Sequence, residues 1–294
     1  MTDAAAVIVA ARFAFDVAAL LLWGAGVYIW LLVPAEIGLG LWRRLSALRL
    51  AAFAALLLAV AVTLPSRTAL LGEGWSSVAD FALVRSLLWS TNIGAAWLVQ
   101  AALACAFALF VLARRDSPAV TALMAAAFLA STALTGHAAA YEGWLRTLHQ
   151  ANAVMHLLSA GAWVGSLVPL LLVLPMLGSR ATAAGAAVAL TRFSTMGHVA
   201  VALVLVSGSI NTVLIVGGLP TDMGSAYQVL LIAKIAIVGA MVALAVVNRY
   251  LLVPRLRLWI GAPKALVAGT LAELVLAAGA VALVSWFGML PPTP

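Results

Sequence analysis

The chain alternates between long apolar runs and short polar gaps. Eight runs are each about 20 residues long, enough to cross the roughly 30 Å hydrocarbon layer of a bilayer as an α-helix. They fall at about 8–33, 46–66, 87–112, 118–136, 149–177, 193–217, 228–252 and 265–288. The pattern predicts an all-α polytopic membrane protein with eight transmembrane helices. No hydrophilic block is long enough for a separate soluble module, so residues 1–294 are expected to form a single integral membrane domain. The gap at about 67–85 has helical periodicity and is expected to lie flat on the membrane surface. Acidic Asp3 and Asp16 flank the start of the first run, which lacks the basic head of a cleavable signal peptide and is read as a membrane helix.

Composition agrees with the pattern. The chain is 66% hydrophobic and 9% charged, so lipid is its main solvent. The net charge of +7 does not indicate nucleic acid, because the basic residues cluster in short gaps between apolar runs. One set of gaps holds Arg43, Arg44 and Arg49, then Arg114 and Arg115, then Arg180 and Arg192, then Arg249, Arg255, Arg257 and Lys264. The alternate set holds Arg67, Arg85 and Arg146 together with Glu73, Asp80, Glu142 and Asp222. The positive-inside rule puts the first set in the cytoplasm and both termini outside, which is the periplasm if the membrane is a Gram-negative inner one. No GxxxxGK[ST] motif occurs, so neither nucleotide binding nor ATP-driven pumping is indicated. The single cysteine, Cys105, sits in an apolar run and is read as packing.

Four histidines interrupt this apolar background: His137, His149, His156 and His198. A polar side chain in a bilayer is usually given a partner or a task, and imidazole is the commonest metal-ligating side chain. His149 and His156 are seven residues apart on the fifth run, so they point the same way at depths differing by roughly 10 Å. Asn152 lies beside them, and Gly161 and Gly165 occupy the opposite face, where they permit close helix packing. The sixth run places Ser194, His198, Ser209 and Thr212 on one face, and the seventh repeats Tyr227, Lys234, Met241 and Asn248 every seven residues. Glu273 lies in the eighth run, and Arg12 and Asp16 form an i, i+4 pair in the first. Such charges face lipid only at a cost of roughly 2.5–3.5 kcal/mol, so the stripes are expected to converge inside the bundle. Lys234 and Glu273 come from opposite ends of their helices, so no direct ion pair between them is expected.

His137, at the end of the fourth run, with His149 and His156 forms an outer constellation that suits a cuprous, cupric or zinc ion. Met155 adds a soft thioether, turned about 100° from His156. His198 belongs nearer the cytoplasmic side, as a second station or a hydrogen-bonding partner for the last two helices. Asn152, Tyr227, Lys234, Met241 and Glu273 are assigned to the pathway or to support around the ligands. No catalytic constellation is read, and no HExxH motif or cysteine cluster occurs. Two other readings stand beside metal transport: a b-type haem or quinone redox protein, and a sensor or assembly module that does not transport.

Several stretches resemble the copper resistance protein D family. They are TGHA at 135–138, the helix carrying His149 and His156 and continuing HLLSAGAWVGSLVPL, RFSTMGHVAVALVLVSGSINT at 192–212, YQVLLIAKIAIVGAMVALAVVNRYLLVPRL at 227–256, and Glu273 before the terminal LPP. The resemblance covers the last five predicted helices and is weaker over the first three. It implies an eight-helix inner-membrane protein of periplasmic copper handling, bringing copper toward the cytoplasm, with a periplasmic copper-binding protein of the C type as partner.

Overall fold

The computed structural model describes residues 2–113, 115–136, 141–256 and 262–292. They form an all-helical bundle, with no strand among them. The helices are α1 (Asp3–Val27), α2 (Ala35–Arg44), α3 (Ser46–Leu71), α4 (Phe81–Ser90), α5 (Asn92–Leu112), α6 (Pro118–Ser131), α7 (Gly143–Val173), α8 (Ala183–Val216), α9 (Ala226–Val247), the single turn α10 (Val253–Arg255) and α11 (Ala262–Phe287). Wider π-turns continue α1 over Tyr28–Leu32 and α9 over Asn248–Leu252. Among the described residues, seven segments are long and apolar enough to cross a membrane. The expected fourth span is a shorter apolar helix, Pro118–Leu134. The expected surface gap contains a short 3-10 turn at Trp75–Ala79 and leads into α4. The amphipathic α2 was not anticipated from the sequence pattern. It buries Ile37, Leu41 and Trp42 and exposes Leu39.

Polar residues at the gaps set where helices begin. Asp80 accepts hydrogen bonds from the backbone N–H groups of Ala82 and Leu83, and Thr91 accepts one from Gly94. Ser117 caps α6 with Pro118 following, a position where proline's missing N–H costs nothing. Gly217, at φ 79°, ends α8 in the left-handed region that glycine enters without penalty.

The bundle is organised around α1, which packs against α3, α6, α7 and α11. Its closest approach is to α7. A Cβ built on Gly24 would strike Gly161 and Gly165, and one on Gly165 would strike the carbonyl of Leu20. The small residues let two backbones touch, as expected of Gly161 and Gly165. Polar bonds pin the contact: Ser166 Oγ donates to the Gly24 carbonyl at 3.0 Å, and Trp23 Nε1 donates to that of Leu158 at 2.7 Å. Since α7 is fixed on this side, its opposite face, with His149 and His156, is turned toward α8.

At one end of the bundle lie the start of α1 and the end of α11, where the guanidinium of Arg12 meets Gly288. At the other end Arg49 and Asp116 form an ion pair at 2.7 Å. Trp42 Nε1 also donates to Asp116, at 2.6 Å, and the Arg49 guanidinium stacks 3.6 Å above the Trp42 ring. Burial pushes the Asp116 carboxyl up, but the hydrogen bonds from Arg49 and Trp42 and the Arg49 charge outweigh it and hold the pKa below the usual value. A carboxylate depressed in the folded state stabilises above its unfolded pKa, and that stabilisation is lost as pH falls through the folded value. Asp116→Asn is therefore expected to cost up to about 1 kcal/mol at neutral pH, because the carboxylate is half exposed. Thermal melts at several pH values check this: the gap between parent and variant should close as pH falls below about 4, the unfolded aspartate value.

Candidate metal site

The histidine face of α7 meets a polar notch in α8. His149 is 1% exposed, and its ring packs edge-on against Tyr141 with centroids 5.5 Å apart. The Tyr141 hydroxyl donates to the carbonyl of Leu214, anchoring the loop residue before α7 to α8. Asn211 is a side-chain hydrogen-bond partner of His149, yet His149 Nδ1 is buried with no partner. One turn on, Asn152 Nδ2 donates to the Ser207 carbonyl at 3.0 Å and to Asn211 Oδ1 at 2.9 Å. Its own Oδ1 is buried and unpartnered.

His156 sits deeper along the same face. Ser207 Oγ donates to the Leu203 carbonyl at 2.5 Å, so its lone pair accepts from His156 Nδ1–H at 2.9 Å. The Val204 carbonyl is a further hydrogen-bond partner of the His156 ring. A second bond that orients the ring and sets its tautomer is what a metal-ligating histidine normally has. Gly208 makes room for the ring, since a Cβ there would stand 3.2 Å from His156 Cε1. Met155 is half-buried on the neighbouring face of α7. His137 lies outside the described residues.

The arrangement offers imidazole nitrogens and an amide oxygen along one buried face. A buried polar atom without a partner costs roughly 1–3 kcal/mol, so the bare His149 Nδ1 and Asn152 Oδ1 favour a ligand that needs lone pairs. Neutral imidazole suits copper and zinc, and a cation is the species that takes lone pairs without supplying a proton. Among the described residues, no group of three His, Cys, Asp or Glu side chains is gathered as a ready metal site.

The remaining predicted residues fall into two groups. Tyr227, Met241 and Asn248 are buried and Lys234 is partly buried, so the seven-residue stripe of α9 does face inward. Lys234 lies within electrostatic range of His156, Arg12 and Asp16. Farther along, Glu273 accepts from Asn248 Nδ2 at 2.6 Å and has Trp163 as a second hydrogen-bond partner. Gly269 is needed beside this pair, because a Cβ there would strike the Asn248 amide. No Lys234–Glu273 ion pair occurs among the described residues, as expected from their different depths. His198 stands apart: its Nδ1 donates to the Ser194 carbonyl at 2.6 Å and its Nε2 accepts from the Tyr250 hydroxyl at 2.8 Å.

Three supporting residues were not singled out from the sequence: Ser207, Gly208 and Asn211. The sequence spacing points instead to Ser209 and Thr212 as the polar face of this helix. Both bond back to carbonyls of their own helix, and Ser209 is exposed. The available signal was Ser207 and Asn211 at i, i+4, one turn apart, flanking a glycine.

Fold and site together define a multi-pass membrane protein with a buried histidine face. The family model for copper resistance protein D-like, N-terminal domain, matches residues 1–147, and that for copper resistance protein D matches residues 187–287. The chain belongs to the copper resistance protein D family. It is 36% identical over 255 residues to inner membrane protein YebZ of Escherichia coli (strain K12), covering 85% of each chain. It is 32% identical over 221 residues to copper resistance protein D of Pseudomonas syringae pv. tomato, covering 70% of this chain and 71% of that one. It is 31% identical over 209 residues to copper transport protein CutJ of Bacillus subtilis (strain 168), 66% of this chain but 37% of the relative. No solved structure matches the chain.

Proposed function

We propose that this protein binds copper at the outer end of α7 and passes it across the bacterial inner membrane toward the cytoplasm. The observation that carries the reading is the buried face of His149, Asn152 and His156, with bare His149 Nδ1 and Asn152 Oδ1 and an oriented His156. Membership of a copper resistance family, and the names of the relatives from Escherichia coli and Bacillus subtilis, support both the cargo and the membrane. His137, in the segment before α7, completes the outer site, and Met155 supplies a soft donor at its edge. The chain acts as one membrane domain, with both termini in the periplasm, where a copper-binding protein of the C type delivers the ion.

From the outer site the route runs inward past Lys234 and Met241 toward Asn248 and Glu273. Lys234 repels a cation and so acts as a gate, while Glu273 attracts the ion or takes up a proton near the inner end. His198 serves as an inner station by releasing one of its two hydrogen bonds. The experiment is uptake of labelled copper into proteoliposomes made with purified protein of known orientation. Copper should accumulate faster than in protein-free vesicles, and His149→Ala/His156→Ala should reduce the rate to the background. Equal rates for the parent and for empty vesicles would reject transport. A Soret band in the purified protein would instead favour a haem protein.

A further inference from the structure

A cavity of about 220 Å³ opens at the end of the bundle that holds the Arg49–Asp116 pair, opposite the start of α1 and the end of α11. Residues of α1, α3, α5 and α6 line it. Its inner wall is Leu22, Phe53 and Phe107, all buried members of the core around α1. The rings of Phe53 and Phe107 meet edge-on, with centroids 4.6 Å apart, and Phe110 extends the wall toward the surface. Its rim is different in kind: Ser46, Arg115 and Asp116 are exposed there, with Arg49 beside them. The cavity is therefore apolar at its base and charged at its mouth.

The charge at the mouth is unbalanced. Asp116 is engaged by Arg49 at 2.7 Å and by Trp42 Nε1 at 2.6 Å. The ion pairs among the described residues are Arg12–Asp16 and Arg49–Asp116, so Arg115 has no carboxylate in contact and the mouth keeps a net positive charge. Arg49 is not saturated either. Its Nη atoms donate to Asp116 and to the Trp42 carbonyl, while its Nε is buried with no hydrogen-bond partner. A buried donor without an acceptor is costly, and a guanidinium only donates. The mouth thus favours an anion with several acceptor oxygens. The base favours the opposite, since water gains nothing from a wall of leucine and phenylalanine. An apolar cavity of roughly 150 Å³ stays dry and takes in benzene, so this one has room for a stretch of hydrocarbon chain. A ligand with an anionic head and an apolar tail answers both ends. The level in the bilayer also suits it: the positive-inside rule sets this arginine-rich end against the cytoplasmic leaflet, whose surface is anionic.

We propose that this cavity binds one anionic phospholipid of the leaflet at this end. The phosphate takes the Arg115 guanidinium, the Ser46 hydroxyl and the bare Arg49 Nε as donors. One acyl chain lies against Phe110, Phe107 and Phe53. The lipid fills a void between α1, α3, α5 and α6 that would otherwise leave their side chains without contacts on one side. Nothing in this assignment depends on copper.

The test uses the purified full-length protein, without copper, in a non-ionic detergent, with native mass spectrometry to count bound lipids. Dioleoyl phosphatidylglycerol is compared with dioleoyl phosphatidylcholine, which has the same chains and no net charge, and with glycerol phosphate, which has the head alone. The first phosphatidylglycerol should bind at least about 5-fold more tightly than phosphatidylcholine, the worth of one arginine facing an anionic lipid. Arg115→Gln should remove that preference, and Arg85→Gln, exposed and outside the cavity, should keep it. Val111→Trp, which fills the cavity from its lining, should abolish the first site for both lipids. Should that variant not fold, Arg115→Gln decides alone, since its side chain is exposed. Equal affinity for the two lipids, an unchanged preference in Arg115→Gln, or full binding by folded Val111→Trp would each overturn the proposal. So would glycerol phosphate binding as tightly as the whole lipid, which would mark a site for free phosphate.

Discussion

Replacing His156 by alanine is expected to weaken copper binding well beyond 10-fold, because even residues that only orient a metal ligand contribute 10–100-fold. The same scale sets the expectation for Ser207→Ala, at about 10-fold. That variant keeps the imidazole but removes the hydroxyl that accepts from His156 Nδ1–H at 2.9 Å. Asn152→Ala should act similarly, through the bonds that tie α7 to Ser207 and Asn211. Isothermal titration of the purified protein with cuprous ion under a competing chelator measures these effects. Affinity should also fall as pH is lowered, because protons compete with the metal for the same imidazole lone pairs. A merely structural role for His156 predicts a lowered melting temperature with copper affinity intact, and that pattern would refute the assignment.

The second large effect concerns packing. Gly24→Leu should cost at least about 3 kcal/mol, beyond the usual 1–3 kcal/mol for an overfilled core. The reason is that the new side chain meets the backbone of Gly161 and Gly165, not the movable end of a side chain. Relief requires α1 and α7 to separate, which would break the Ser166–Gly24 and Trp23–Leu158 hydrogen bonds. Detergent-solubilised Gly24→Leu should show little monodisperse protein by size-exclusion chromatography. Gly40→Leu, at a position with nothing within 4 Å, should elute like the parent.

Much of this architecture could be read from the chain because lipid imposes simple rules. Every backbone polar group must be satisfied within the segment, so an apolar run of sufficient length becomes a helix. The short helix α2 escaped because its ten residues, which bury Ile37, Leu41 and Trp42, are too few to make a span. Which face of each helix is buried was legible where the signal was strong. The i, i+7 histidines, the glycines behind them and the stripe from Tyr227 to Asn248 all settled as their spacing implies. What the sequence left hidden was mutual rotation. The polar face of α8 is the one holding Ser207 and Asn211, and its serine alone does not distinguish it from the face of Ser209 and Thr212. Serine and threonine can satisfy themselves on the preceding turn, so their presence does not mark a face as buried. Asn211 has no such recourse for its amide and is the more reliable marker.

The outer face of α7 is the proposed copper site. Anomalous diffraction at the copper edge from copper-soaked crystals tests it most directly, since one experiment both identifies the element and locates it. A peak is expected about 2 Å from a ring nitrogen of His149 or His156, the usual metal–imidazole distance. No anomalous density on this face, with copper bound elsewhere on the protein, would contradict it.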